Sequence, residues 1–142
     1  MIIEEQVSIR VPAKTVFALY ADVAHWHCWD PDTKWARLDG PMRVGATGKL
    51  APTQGFPVRM TVTELETDRL FTVEARAPLC TMRFVHELQR QEGGVLAVHR
   101  VTFSGPLAGF FGRLVGGRVR AGLPATMQSL KRYAENLHNV AA

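Results

Sequence analysis

Acidic side chains are almost absent from the last part of the chain. Beyond Ser104 only Glu135 is acidic, against Arg113, Arg118, Arg120, Lys131 and Arg132, whereas residues 1–104 hold 12 Lys and Arg and 12 Asp and Glu. The whole net charge of +4 therefore sits in the final segment. Such an excess draws an anionic ligand, a membrane surface or nucleic acid. These cations are scattered and lack the interleaved aromatic residues of a nucleic-acid module, so no nucleic-acid partner is expected. The solvated face of an amphipathic helix accounts for them, with membrane-surface contact as the lesser alternative.

Cysteine is scarce as well. Cys28 and Cys80 have no metal-knuckle or redox spacing and read as two free thiols of a cytoplasmic protein. No apolar run approaches the roughly 18 residues of a membrane span, and MIIEEQVSIR has no basic stretch leading into an apolar one. Catalytic signatures are missing too: no elbow serine, no phosphate-cradling glycine loop, no nucleophile with a nearby base. No repeat or linker divides residues 1–142, so one domain is expected, 46% apolar and large enough to bury a core.

What is present is a change of period. Up to Ser104 the chain reads as short alternating strands; from Gly105 to Asn139 apolar residues recur every three or four positions. Ile3 to Val11 gives a first strand, and Pro12 opens a helix with Val16, Phe17, Leu19, Tyr20 and Val23 on its apolar side. Asp22 is placed to cap a second short helix through Trp26 and Cys28, ended by Asp30-Pro31. Strands follow at 35–38, 47–51, 58–65, 70–77, 81–90 and 95–104. The final helix should run from about 107 to 137 with Leu114, Leu130, Tyr133 and Leu137 buried and Arg132 and Glu135 exposed. Pro124 should bend or break it, and Gly109, Gly112, Gly116 and Gly117 weaken its first half. One long helix needs a surface to cover, and the sheet is the one available. A curved sheet closed by a single helix leaves a hollow between them.

Hairpin register supplies the sharpest constellation. A two- or four-residue loop within 91–94 sets His86 opposite His99, Phe84 opposite Val101 and Met82 opposite Phe103, all on the apolar face. Arg83, Glu87, Arg100 and Thr102 take the solvated face. Two imidazoles in an apolar pocket can contact a ligand's carbonyl or hydroxyl, share a proton, or line the wall without a task. A second cluster, His25, His27, Cys28 and Asp30, has zinc-type side chains, but on an α-helix His25 and His27 point about 200° apart. Trp26 and Trp29 are expected to pack on the sheet, one of them reaching the pocket mouth, while Asp30 and Asp32 read as turn formers. No metal and no cofactor is implied.

Several local sequences resemble the SRPBCC superfamily, which includes the StAR-related lipid-transfer domains, the birch-pollen-allergen fold and the polyketide cyclase/dehydrase family. They are Val11-Pro12-Ala13 running into Val16-Phe17-Ala18-Leu19 with Asp22, Trp26 and Trp29-Asp30-Pro31, Phe103-Ser104-Gly105-Pro106-Leu107, and Leu123-Pro124-Ala125-Thr126-Met127 with Leu130-Lys131. The resemblance covers essentially the whole chain. It implies an α+β helix-grip fold: a curved antiparallel sheet of about seven strands, two short helices after the first strand, and a long C-terminal helix over a cavity. Members bind lipids, sterols, hormones or polyketide intermediates, and some catalyse reactions in the same cavity.

The expected function is binding of a small hydrophobic molecule of lipid, polyketide or aromatic type, by a monomer or homodimer, in a pocket of roughly 300–1,000 Å³. Val58, Met60, Val62, Phe71 and Val73 form one part of its wall, and Met82, Phe84, Val101 and Phe103 the other. His86 and His99 are its polar groups and Trp29 lies at its mouth. The competing reading is a polyketide cyclase/dehydrase-like enzyme with these histidines as acid and base. Arg59 or Arg76 would then hold an oxyanion, if its strand face is the reverse of the one assigned.

Overall fold

Alternation becomes strand at each expected place in the computed structural model, which describes residues 1–141. The strands are β1 (Ile2–Ile9), β2 (Thr33–Leu38), β3 (Thr47–Pro52), β4 (Val58–Glu66), β5 (Leu70–Ala77), β6 (Cys80–Gln91) and β7 (Gly94–Ser104). They form one antiparallel sheet in the order β1-β7-β6-β5-β4-β3-β2. First and second strands are thus opposite edges, and the chain between them must cross the concave face. That crossing is α1 (Ala13–Ala21) followed by a 3₁₀ segment, Val23–Cys28. The architecture is the α+β helix-grip.

The β6–β7 hairpin has the predicted register. Gln91 pairs with Gly94, which leaves Glu92 and Gly93 as the turn, and Gly93 takes φ 79°, a value open to glycine. Asp22 departs from its expected role: its carboxylate meets His25 Nδ1 at 2.9 Å and caps no backbone group. The segment after it is 3₁₀ with a kink at His25 (φ −114°, ψ 17°), so the α-helical 200° separation of His25 and His27 does not hold.

The last segment divides into α2 (Ala108–Leu114) and α3 (Gly116–Ala141). The break falls at Val115, not at Pro124, which lies inside α3. Pro124 and Arg120, whose carbonyl loses its helical partner, are both exposed, and water can take the place of the missing donor. Val115 precedes two glycines, the weaker point for a helix.

Leu123, Met127, Leu130 and Ala134 of α3 are buried against the sheet as a helical stripe. Three other expectations fail, at Leu114, Leu137 and Glu135. Leu114 is 59% exposed and Leu137 is 42% exposed. α2 meets the sheet through Gly112 and part of Phe111, and α3 begins at the sheet with Gly116: both glycines are buried, and a Cβ there would stand 3.1 and 3.0 Å from Met1 Sδ. That rotation turns Phe110 and Leu114 outward. At the other end Glu135 Oε2 already accepts from Arg10 N (2.9 Å), beyond the end of β1, so Leu137 has no strand beneath it. The same bond, with Lys131 Nζ at 2.8 Å, leaves Glu135 partly buried instead of exposed. Tyr133 is partly buried and Arg132 exposed.

Candidate functional site

Register builds the interior site. Phe71 of β5 pairs with His86 of β6, His86 with His99 of β7, and His99 with Glu5 of β1. One cross-strand row therefore carries an aromatic ring, two imidazoles and a carboxylate. The imidazole centroids lie 4.6 Å apart, edge to face. α1 lowers Tyr20 onto them, with centroids 5.1 Å from His86 and 5.5 Å from His99. The 3₁₀ segment and the residue after it add Trp26, 5.8 Å from Phe71, and Trp29, 5.9 Å from Tyr20 and 6.3 Å from His99.

Hydrogen bonds fix the protons. A carbonyl only accepts, so at 3.0 Å from Phe71 O it is His86 Nδ1 that carries hydrogen. Neutral His86 then holds a lone pair on Nε2. Burial raises the Tyr20 phenol far above its ordinary value, so it stays protonated. That hydroxyl shares a hydrogen bond of 2.7 Å with His99 Nε2, and with the phenol as donor the His99 proton sits on Nδ1. Burial pushes His86 down to about 4, and it pushes His99 well below its ordinary value, with the neighbouring His86 adding to the effect. Both shifts favour the neutral form of the rings. Trp26 Nε1 donates to Tyr20 O (2.9 Å), but Trp29 Nε1 is buried with no partner.

The expected walls are inside. Met60, Val62, Phe71, Val73, Val101 and Phe103 are buried, and Met82 and Phe84 are partly buried against them. Val58 is the exception, 40% exposed at the first position of β4. These side chains pack with Met127 and Leu130 of α3 into one apolar cluster. Open space lies elsewhere. A cleft of about 240 Å³ is lined by Pro12, Lys14, Asp68 and Arg90, and one of about 200 Å³ by Leu19, Asp22, His25, Trp29 and Tyr133. Both are smaller than the expected pocket. Trp29 belongs to the second cleft on one side and to the imidazole cluster on the other.

Arg59 and Arg76 are exposed, on the strand face opposite Met60 and Ala75. Neither reaches the histidines, so the oxyanion role considered for them is lost. The second cluster also resolves. His25 is held by Asp22, His27 Nε2 lies 3.7 Å from Cys28 Sγ, and the two imidazole centroids are 6.2 Å apart. Among the described residues no three His, Cys, Asp or Glu converge as metal ligands. Asp30 forms the expected turn by accepting from Asp32 N (2.9 Å), and it also accepts from Thr33 Oγ1 (2.9 Å) and Thr126 Oγ1 (3.3 Å). That last bond ties the turn to α3.

Tyr20 and Glu5 were not singled out by sequence. Tyr20 was counted among the apolar residues of its helix face, yet a buried phenol needs a partner, and that need is a signal. Glu5 interrupts the alternation Ile3, Val7, Ile9 with a carboxylate on the inward side.

Residues 1–135 match the family model described as polyketide cyclase / dehydrase and lipid transport. No curated protein matches the chain. Among solved structures, Ara h 8.0201 superposes with TM-score 0.71 at 13% identity, over 94% of this chain and 97% of that one. The Polyketide_cyc-like protein Cgl2372 from Corynebacterium glutamicum does so with TM-score 0.63 at 21% identity, over 94% and 91%. The di-domain ARO/CYC StfQ from the steffimycin biosynthetic pathway gives TM-score 0.74 at 9% identity, over 97% of this chain and 51% of that one. Identities this low speak for the fold alone. No helix among the described residues is long and apolar enough to cross a membrane.

Proposed function

Because the chain belongs to the polyketide cyclase/dehydrase and lipid transport family, we propose that it binds a small hydrophobic molecule of lipid, polyketide or aromatic type between the sheet and α3. The observation that carries this reading is the unpartnered Trp29 Nε1, buried beside Tyr20, His99 and His86. A buried donor without a protein partner costs about 1–3 kcal/mol, and an acceptor on a bound ligand would relieve it. Neutral imidazoles supply no positive charge, so a ketone, quinone or phenol suits this interior better than a free carboxylate. His86, His99 and Trp29 would take the polar end. Met60, Val62, Phe71 and Val73 would hold the apolar body on one side, and Met82, Phe84, Val101 and Phe103 on the other. The second cleft, lined by Leu19, Asp22, His25, Trp29 and Tyr133, already reaches Trp29 and is the natural way in.

Calorimetric titration with 1-acetonaphthone and 1-naphthoate tests this. The ketone should bind at least about ten-fold more tightly, and Trp29→Phe, which keeps a ring but removes the N–H, should weaken it by about ten-fold. If neither compound binds, and native mass spectrometry of protein from its own host finds no copurifying molecule, the reading fails. A second reading, acid–base catalysis on the bound molecule, is favoured by the 2.7 Å Tyr20–His99 bond, a ready path for a proton. It predicts that His99→Leu abolishes turnover while binding persists.

A further inference from the structure

Ten large apolar residues are exposed among the described residues, and eight of them gather at one end of the sheet. In an antiparallel sheet the start of β1, the β3–β4 turn, the β5–β6 turn and the exit of β7 lie at the same end. Met1 and Ile2 stand at the first, Phe56 and Val58 at the second, Leu79 at the third, and Leu107, Phe110 and Leu114 beyond the last. Leu107 N donates to Leu79 O (2.9 Å), which joins α2 to the β5–β6 turn.

Two details show that this exposure is built in. α2 turns Gly112 and part of Phe111 to the sheet and leaves Phe110 and Leu114 in solvent. Leu79 holds its side chain out, 63% exposed, from a left-handed backbone (φ 59°) where glycine or asparagine is the norm. Charge agrees. Arg59, Arg76, Arg113, Arg118 and Arg120 are exposed at or next to this end, and none has an ion-pair partner among the described residues. No acid occurs between Gly105 and Ala134; at this end exposed Glu4 of β1 is already paired with Arg100 (2.7 Å), and Asp32 lies against Gly122.

We propose that this end of the sheet docks on an anionic lipid bilayer, with Leu79, Phe110 and Leu114 entering the interface and the arginines at headgroup level. From β1 to β4 the apolar tips span four strand spacings, roughly 20 Å. That breadth suits a plane better than the groove of a peptide site. A second copy is the poorer occupant, because a two-fold interface sets the same arginines against each other. Apolar insertion beside basic side chains is what holds a peripheral protein on anionic lipid. This docking is independent of any interior ligand.

The test is cosedimentation of the whole chain with phosphatidylcholine vesicles with and without phosphatidylserine. Retention should require phosphatidylserine and fall as salt rises. Arg113→Glu with Arg118→Glu should weaken it by about thirty-fold or more, and Phe110→Asp with Leu114→Asp should abolish it while the circular dichroism spectrum is unchanged. Leu79→Gly relieves backbone strain, so it folds, and it should weaken retention at unchanged charge. No retention on phosphatidylserine vesicles at low salt overturns the proposal. So does retention that all three variants leave unchanged, or a lipid-free dimer that the Phe110/Leu114 variant converts to monomer.

Discussion

The back of α3 and the α2 region both carry apolar residues at helical spacing, yet they cover them to different degrees. From Leu123 to Ala134 the bulky stripe faces the sheet. In α2 Gly112 and part of Phe111 face it, and Phe110 and Leu114 face water. Spacing defines which residues lie together on a helix; closeness of approach decides which side is covered. Around Gly112 and Gly116 the backbone can come down onto Met1, and nothing bulky fits between.

The largest effect that separates the two regions is expected at Leu130. Leu130→Ala should lower stability in urea unfolding by about 2–5 kcal/mol, and Leu114→Ala by about 0.5 kcal/mol or less. Similar losses at both sites would erase the distinction. A smaller effect comes from filling the close approach. Gly116→Val must push aside Met1 Sδ, the tip of a flexible side chain, and should cost about 1 kcal/mol; a stabilising change would show that α2 and the start of α3 do not press on the sheet.

The smallest concerns the α3–β1 bonds. Lys131 and the Arg10 N–H hold the Glu135 carboxyl below its ordinary value. A carboxylate lowered in the folded state stabilises fully above its unfolded value and loses that contribution as pH falls through the folded one. Glu135→Gln should therefore cost about 1 kcal/mol at pH 7 and progressively less as pH falls below the ordinary carboxylate range. A loss that does not shrink under acid would show that packing, and not charge, holds this corner.

Strand positions and the His86–His99 pairing were legible because a period of two and a two-residue turn leave little freedom. The buried face of α3 at Met127 and Leu130 was legible for the same kind of reason, a full apolar stripe. The orientation of α2 was not, since its glycines carry no hydropathy signal. The Tyr20–His99 bond joins positions 79 residues apart and depends on how α1 crosses the sheet, which no local pattern encodes.

The corner where α3 meets β1 has a consequence for the protein in a crowded solution. β1 is an edge strand, and the backbone groups on its free side are an open template for another chain. Lys131 Nζ occupies Ser8 O at 2.9 Å and Glu135 occupies Arg10 N at 2.9 Å, so one turn of helix closes the end of that template. At the opposite edge β2 relies on a bulge between Thr33 and Trp35 and on the charges of Lys34 and Arg37. The two edges thus resist aggregation by different means, one capped by side chains from a helix, the other made irregular and charged.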